Sequence, residues 1–298
     1  MLRTEREPVV FHSVLSTQSS ALGFMTTQKS DKELAFLHDL YVATDWGERF
    51  AELVDAHVTL PKEGRALYVG SGTGGHALAL AERGGAALEL VGVDESEGQV
   101  ELARAKAAAV EGAGVEFRHA QLEALGFEDE QFDLVVGDAS LVGPERLPEV
   151  LSEMVRVAAR GATVSLSAAT ASSFGEFFSV FWEALAGAGY DEQAAAVGSM
   201  INELPTAAGL EVLATREALE GVESWTSIEE FDFPTGGDFL AAPLVRDFLL
   251  GRWLDSLPDD EARAGVLSEV ERIIDDDRHE GDFSLTVKAT IVVGRKAN

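Results

Sequence analysis

The sequence predicts an α/β protein with a largely parallel sheet, an appended helical unit and one strong strand at its end. Three observations predict it. Short apolar runs bounded by turn residues alternate with helix-patterned stretches between residues 64 and 168, and strands joined through helices lie parallel with right-handed crossovers. The first run ends in a cluster of glycines, Gly70-Ser-Gly-Thr-Gly-Gly75, where a strand can turn sharply into a helix. The chain has 298 residues, 46% hydrophobic and 25% charged, enough to bury one full domain and a subdomain.

Taken in order, residues 1–30 read as a mobile arm. Two arginines among the first six residues precede a Ser/Thr/Gln-rich stretch with no apolar run of signal-peptide length, and Met25 stands where a start could fall. Between Asp31 and Ala56, Leu34, Leu37, Leu40, Tyr41, Phe50, Leu53 and Val54 recur mostly at helical spacing, so one or two amphipathic helices are expected, with a break near Gly47. Pro61 and Gly64 punctuate the chain. Strands are then expected at Arg65–Gly70, Leu88–Val93, Val115–Arg118, Phe132–Gly137 and Ala162–Ala168, with helices at His76–Arg83, Glu97–Val110 and Pro144–Ala159, the last stopped by Gly161. Phe174–Leu185 and Asp191–Ala208 pattern as helices and Gly209–Thr215 as a sixth strand. Glu217–Asp282 reads as mainly helical, with Trp225, Phe231, Phe233, Phe239, Phe248 and Trp253 along it, and Phe283–Val293 is the clearest strand of all. The expected organisation is an arm (1–30), an α/β core with N-terminal helices (31–216), a helical lid or substrate subdomain (217–282), and a final core strand and tail (283–298).

Charge and composition exclude several classes. Lys and Arg number 23 against 52 Asp and Glu, a net charge of −29, which repels phosphate backbones and anionic lipid, so neither nucleic acid nor membrane is expected as a partner. Cysteine is absent, which removes disulfides, thiolate metal sites and a cysteine nucleophile. No run approaches the ~20 apolar residues of a membrane helix, and a cytoplasmic, soluble protein is expected. No HExxH, CxxC or His-x-His occurs, and the acidic stretch Asp275–Asp282 reads as a solvated loop, so no metal is expected.

The glycine turn carries the functional signal. Glycine admits a sharp bend and lets a ligand approach the main chain. Asp94, 24 residues after Gly70 and at the end of the second strand, stands where a carboxylate accepts both hydroxyls of a ribose. Together they indicate an adenosine-containing cofactor. The turn fits two patterns at once: Gly70, Gly72 and Gly75 match the G-x-G-x-x-G of dinucleotide binders, while Gly70, Gly72 and Gly74 match G-x-G-x-G.

Four blocks in order extend the second pattern: Ala66-Leu-Tyr-Val-Gly-Ser-Gly-Thr-Gly74, Val91-Gly-Val-Asp94-Glu-Ser, the stretch Gln121-Leu-Glu-Ala-Leu-Gly through Phe132-Asp-Leu-Val-Val, and Leu151-Ser-Glu-Met-Val-Arg-Val-Ala-Ala-Arg-Gly161. Over roughly Tyr41 to Ala168 the chain resembles the class I S-adenosylmethionine (SAM)-dependent methyltransferases of the quinone-biosynthesis and small-molecule type. The resemblance implies a Rossmann-like, seven-stranded, mostly parallel sheet with an antiparallel last strand inserted between its neighbours. It implies that Gly70, Ser71 and Gly72 wrap the methionine part of SAM, with Gly74 and Tyr68 also among the cofactor-binding residues, that Asp94 holds the ribose with Glu95 beside the adenine, and that Gln121 and Leu122 flank the adenine edge. Gly137 and Asp138 would line the floor near the sulfonium, and Tyr41 and Trp46 would fold over the cofactor. Two positions depart from the family pattern. Tyr68 stands where an acid usually faces the cofactor's ammonium group, and a phenol accepts a hydrogen bond without supplying charge. Gln121 stands where an aspartate often accepts from the adenine amino group.

Methyl transfer is an in-line displacement that asks the protein for alignment and dryness, not for a nucleophile. An acceptor that must lose a proton needs a base within reach; Asp138 is the first candidate, followed by His119 and His38. The function expected is methyl transfer from SAM to a small-molecule acceptor. An NAD(P)-dependent oxidoreductase using Gly70, Gly72, Gly75 and Asp94, and a methyltransferase fold that binds without methylating, are the alternatives.

Overall fold

The computed structural model describes residues 29–110, 114–276 and 281–298. The expected arm, apart from its last two residues, and Met25 fall in 1–28, outside the described residues. The described chain opens on one continuous helical stretch. Ser30 caps α1 (Asp31–Leu37) through a capping box, its hydroxyl accepting from the Glu33 amide while the Glu33 carboxylate accepts from the Ser30 amide. The helix widens into a π-helical run, His38–Gly47, and tightens again as α2 (Glu48–His57). The break expected at Gly47 is therefore a change of winding, with Gly47 itself in the right-handed helical region.

The core follows as β1 (Gly64–Val69), α3 (Gly75–Gly84), β2 (Leu88–Asp94), α4 (Glu97–Ala109), β3 (Val115–His119), β4 (Phe132–Asp138), α5 (Leu147–Val157) and β5 (Ala158–Ala169). The central strands are apolar at nearly every position because both faces are covered. Ala66, Tyr68 and Leu90 enter one core, shared with α2 and α3; Leu67, Val69, Val91 and Val93 enter the other, shared with α5. Each of these leucines and valines, removed from water, contributes about 1.5–3 kcal/mol. Gly161 does not stop α5, which already ends at Val157; it lies inside β5 at φ +74°, in the irregular stretch where the β4–β5 register shifts.

Beyond β5 come α6 (Gly175–Gly187), α7 (Asp191–Glu203), α8 (Ala207–Arg216), β6 (Leu219–Phe233), α9 (Gly236–Ala241), a second π-helical turn (Leu244–Leu249), α10 (Leu250–Trp253), α11 (Asp260–Asp276) and β7 (Phe283–Lys296). Two expectations are corrected here. Gly209–Thr215 is not a strand: Thr206 caps α8, Leu210 and Ala214 are buried one turn apart, and Val212 is exposed, which is helical periodicity in a run too short to reveal it beforehand. The segment 217–282 is not helical throughout, since its first part is the 15-residue strand β6. Leu219, Val222, Trp225, Ile228 and Phe231 recur every third residue and imitate a helix. In the strand, a register shift between Glu220 and Glu223 puts Leu219 and Val222 in one core, while Trp225 and Phe231 join the other and Ile228 stays exposed.

The sheet order is β3-β2-β1-β4-β5-β7-β6. β7 pairs antiparallel with β5 on one side and β6 on the other, and the remaining pairs are parallel, so six strands share a direction and the last opposes them. This is the seven-stranded arrangement the resemblance implies. Among the described residues no helix is long and apolar enough to cross a membrane. Residues 277–280 of the acidic stretch lie outside the described residues.

Candidate active site

The turn between β1 and α3 is built for close approach. Gly70 and Gly72 have φ of +70° and +55°. A Cβ on Gly70 would stand 2.2 Å from the Asp138 carbonyl oxygen, and one on Gly72 3.0 Å from the His38 ring, so neither position admits a side chain without strain. Over this turn, at the carboxyl ends of β1, β2 and β4 where open α/β sheets take ligands, lies a cavity of about 660 Å³, within the range of small-molecule sites. Trp46 from the first π-helical run and Phe248 from the second close over it, and the two runs pack on each other. Asp39 ties this cover to the turn: its carboxylate accepts from Thr73 Oγ1 at 2.6 Å and from Lys106 Nζ on α4. Burial opposes the charge on Asp39, and the Lys106 and Thr73 hydrogen bonds outweigh it, holding its pKa low.

One end of the cavity is organised by Asp94. Its Oδ2 accepts from the Gly72 amide at 2.8 Å and its Oδ1 from the Ser96 amide at 3.0 Å, which leaves a lone pair on each oxygen. Burial pushes its pKa up to about 6 against the pull of those two amides. Leu122 is buried on the same wall. Glu95 also lines the cavity, but Arg146 grips both its oxygens, at 3.0 and 2.6 Å, and binds Glu123 as well.

The other end holds two hydrogen-bonded chains. Trp46 Nε1 donates to Ser140 Oγ at 2.9 Å, and Asp138 Oδ1 accepts from the Ser140 amide at 2.9 Å. The Tyr68 hydroxyl lies 3.0 Å from His76 Nδ1, and His76 Nε2 lies 2.9 Å from Asp55 Oδ1, with Arg83 on the same carboxylate at 2.8 Å. Burial raises the pKa of both Tyr68 and Asp138. His38 faces the turn beside Phe248, with ring centroids 5.6 Å apart; burial pushes its pKa down to about 4, so the ring is neutral near pH 7.

Of the residues singled out in the sequence, Tyr68, Gly70, Ser71, Gly72, Gly74, Asp94, Glu95, Leu122, Asp138, His38 and Trp46 line this one cavity. Four do not. His119 is exposed, its Nε2 3.0 Å from the Glu95 carbonyl oxygen and its Nδ1 3.3 Å from Glu97. Gln121 is exposed beside a bridge to Ala124, Gly137 faces Met154 and Leu166 on the opposite side of the sheet, and Tyr41 is 55% exposed. Sequence reasoning missed Asp39, Asp55, His76 and Ser140. His76 carried a legible signal, standing at the second position of a helix that opens on the glycine turn.

Residues 66–161, from β1 into β5, match a family model described as a methyltransferase domain. Over these residues the chain is similar to methyltransferase domains. The chain is similar to the demethylmenaquinone methyltransferase of Shouchella clausii (strain KSM-K16), 35% identical over 99 residues, which is 33% of this chain and 42% of that protein. The chain thus spans less than half the length of the curated relatives it matches. The fold is shared with the YcgJ protein of Bacillus subtilis, at a TM-score of 0.56 and 16% identity over 84% of this chain and 99% of that one. It is shared also with a Haemonchus contortus phosphoethanolamine N-methyltransferase, solved with phosphomonomethylethanolamine and S-adenosylhomocysteine, at a TM-score of 0.54 and 16% identity over 91% and 59% of the two chains.

Proposed function

We propose that the chain transfers a methyl group from SAM to a small-molecule acceptor. One observation carries this reading: inside the stretch that matches methyltransferase domains, the Cβ-free turn at Gly70 and Gly72 shares a cavity with the Asp94 carboxylate, whose two remaining lone pairs suit the two hydroxyls of a ribose. The residues present fit the cofactor. Asp94 would hold the ribose, Leu122 would pack against the adenine, and the main chain of Gly70–Gly72 would run along the methionine part. Ser71 Oγ, buried without a hydrogen-bond partner among the described residues, offers a polar contact to that part. The relative named for demethylmenaquinone and the fold neighbour solved with S-adenosylhomocysteine favour this methyl-donor pattern of the turn over the dinucleotide one.

When bound, SAM supplies an electrophilic methyl group on a sulfonium. The work left to the chain is alignment and exclusion of water. Trp46, fixed through Ser140, and Phe248 cover the cavity. Leu141, Val142 and Phe248 give the cavity an apolar wall beside Ser140, which suits an acceptor with an apolar body. His119, turned outward, takes no part.

The test is transfer of label from methyl-labelled SAM, offering a demethylated naphthoquinol and a bacterial small-molecule extract as acceptors. The reading predicts label in the small-molecule fraction with stoichiometric S-adenosylhomocysteine. Label that stays in SAM, or moves only into protein or nucleic acid, contradicts it.

A further inference from the structure

We infer that Arg146 is a positioning residue for the nucleoside end of the cavity: its guanidinium ties together the three loops that wall that end and neutralises a carboxylate standing beside Asp94. The inference rests on the reading of the cavity as a SAM site. Arg146 is not itself among the residues lining the cavity, so it acts through its partners.

The geometry is a nearly saturated fork. Arg146 Nη1 and Nη2 donate to Glu95 Oε1 and Oε2 at 3.0 and 2.6 Å. Nε and Nη2 donate to Glu123 Oε1 and Oε2 at 2.5 and 2.9 Å. Four of the five guanidinium N–H groups are thus spent on two bidentate carboxylates, an arrangement that fixes direction as well as distance. The Arg146 hydrogen bonds hold the Glu123 carboxyl below its usual range.

Each partner belongs to a different strand end. Glu95 follows β2, Glu123 lies between β3 and β4, and Arg146 closes the helical turn Pro144–Arg146 ahead of α5. Their chain neighbours are the wall: Asp94 and Glu95 from the first loop, Leu122 from the second, and Leu141 and Val142 from the third line the cavity. The three side chains are 28–35% exposed. A lone pair so placed would contribute little, whereas a bidentate network is the case in which such ions do contribute.

Charge is the second effect. Asp94 must be ionised to accept from two hydroxyls, and Glu95 and Asp138 both oppose that ionisation. Asp31 of α1 and Glu97 of α4 stand about Ser96, and His119 on β3 meets Glu97. His38 faces the turn as a neutral ring, and Lys106 is spent on Asp39. Arg146 is the cation set against Glu95.

The experiment is calorimetric titration of the full chain between pH 5 and 8 with S-adenosylhomocysteine and with 5′-methylthioadenosine, which lacks the amino-acid part. Arg146→Met should weaken both ligands about fivefold or more at pH 7 and raise the pH midpoint of binding by about half a unit. Arg146→Lys, which keeps the charge and loses the fork, should leave the midpoint in place and give an intermediate affinity. Glu95→Gln alone, with Arg146 still held by Glu123, should lower the midpoint. Added to Arg146→Met, it should bring the midpoint back while only part of the affinity returns. Unchanged affinity in Arg146→Met, a loss at an unmoved midpoint, or a loss confined to S-adenosylhomocysteine overturns the inference and leaves the cofactor reading intact. An unmoved midpoint in Glu95→Gln overturns it as well, in a chain that keeps the Arg146–Glu123 tie. If neither ligand binds the unsubstituted chain, the cofactor reading itself falls.

Discussion

At the scale of single residues, Asp94 is half-engaged by its own fold: one main-chain amide on each oxygen and one lone pair on each left for a ligand. Replacing it by alanine should weaken S-adenosylhomocysteine binding by about 1.5–3 kcal/mol, the range for hydrogen bonds to a charged group; an unchanged dissociation constant by calorimetry would contradict its role. Its pKa of about 6, raised by burial, predicts a pH dependence. The ionised form accepts from both ribose hydroxyls at full strength and the protonated form does not, so affinity should rise by up to about tenfold per unit as pH climbs toward 6 and level off above it. A flat profile between pH 5 and 7 would argue against the assignment. For folding the sign is reversed. A carboxyl with a raised folded-state pKa contributes stability that is full below the unfolded value of about 3.9 and is lost as pH rises through about 6. Asp94 and the glycines were legible because strand ends and turns announce themselves in sequence. The direction in which a strand-end side chain leaves the sheet does not, and this is why His119 and Gln121 resembled site residues while Asp55 and His76, which meet only when α2 packs beside α3, did not.

At the scale of elements, the cover of the cavity is two π-helical segments leaning on each other, His38–Gly47 and Leu244–Leu249. π-helical turns exchange the i→i+4 backbone hydrogen bond for an i→i+5 one and recur at functional sites. The first is secured to the turn by Asp39, through Thr73 and Lys106. Asp39→Ala should release it: hydrogen exchange over residues 38–47 should quicken and S-adenosylhomocysteine should dissociate faster, with the sheet's protection unchanged. Exchange that stays the same at 38–47 would show that packing alone holds the cover. The alternation of strands and helices from β1 to β5 was readable because buried parallel strands are apolar throughout and their helices are not. The π-helical winding was not readable, since the two buried residues of the first run, Val42 and Trp46, fall four apart, a spacing an α-helix also gives. β6 was hidden by its bulge, which lets a three-residue repeat serve a strand, and α8 by its brevity.

At the scale of the whole molecule, 52 acidic residues against 23 basic ones leave a surplus of like charge that the ion pairs of the surface do not neutralise. Screening should relieve that repulsion, so raising salt from about 10 mM to about 150 mM should raise the melting temperature by a few degrees. A melting temperature that falls with salt would mean that the attractive pairs dominate instead. The same charge was legible from composition alone, whereas the way six parallel strands and one antiparallel strand deliver Tyr68, Asp94 and Asp138 to one hollow depended on packing between distant segments. The most direct test of the central claim is calorimetry of the unsubstituted chain with S-adenosylhomocysteine and with NAD. The account predicts one site per chain for S-adenosylhomocysteine at micromolar dissociation constant and silence with NAD; binding of NAD with silence toward S-adenosylhomocysteine would contradict it.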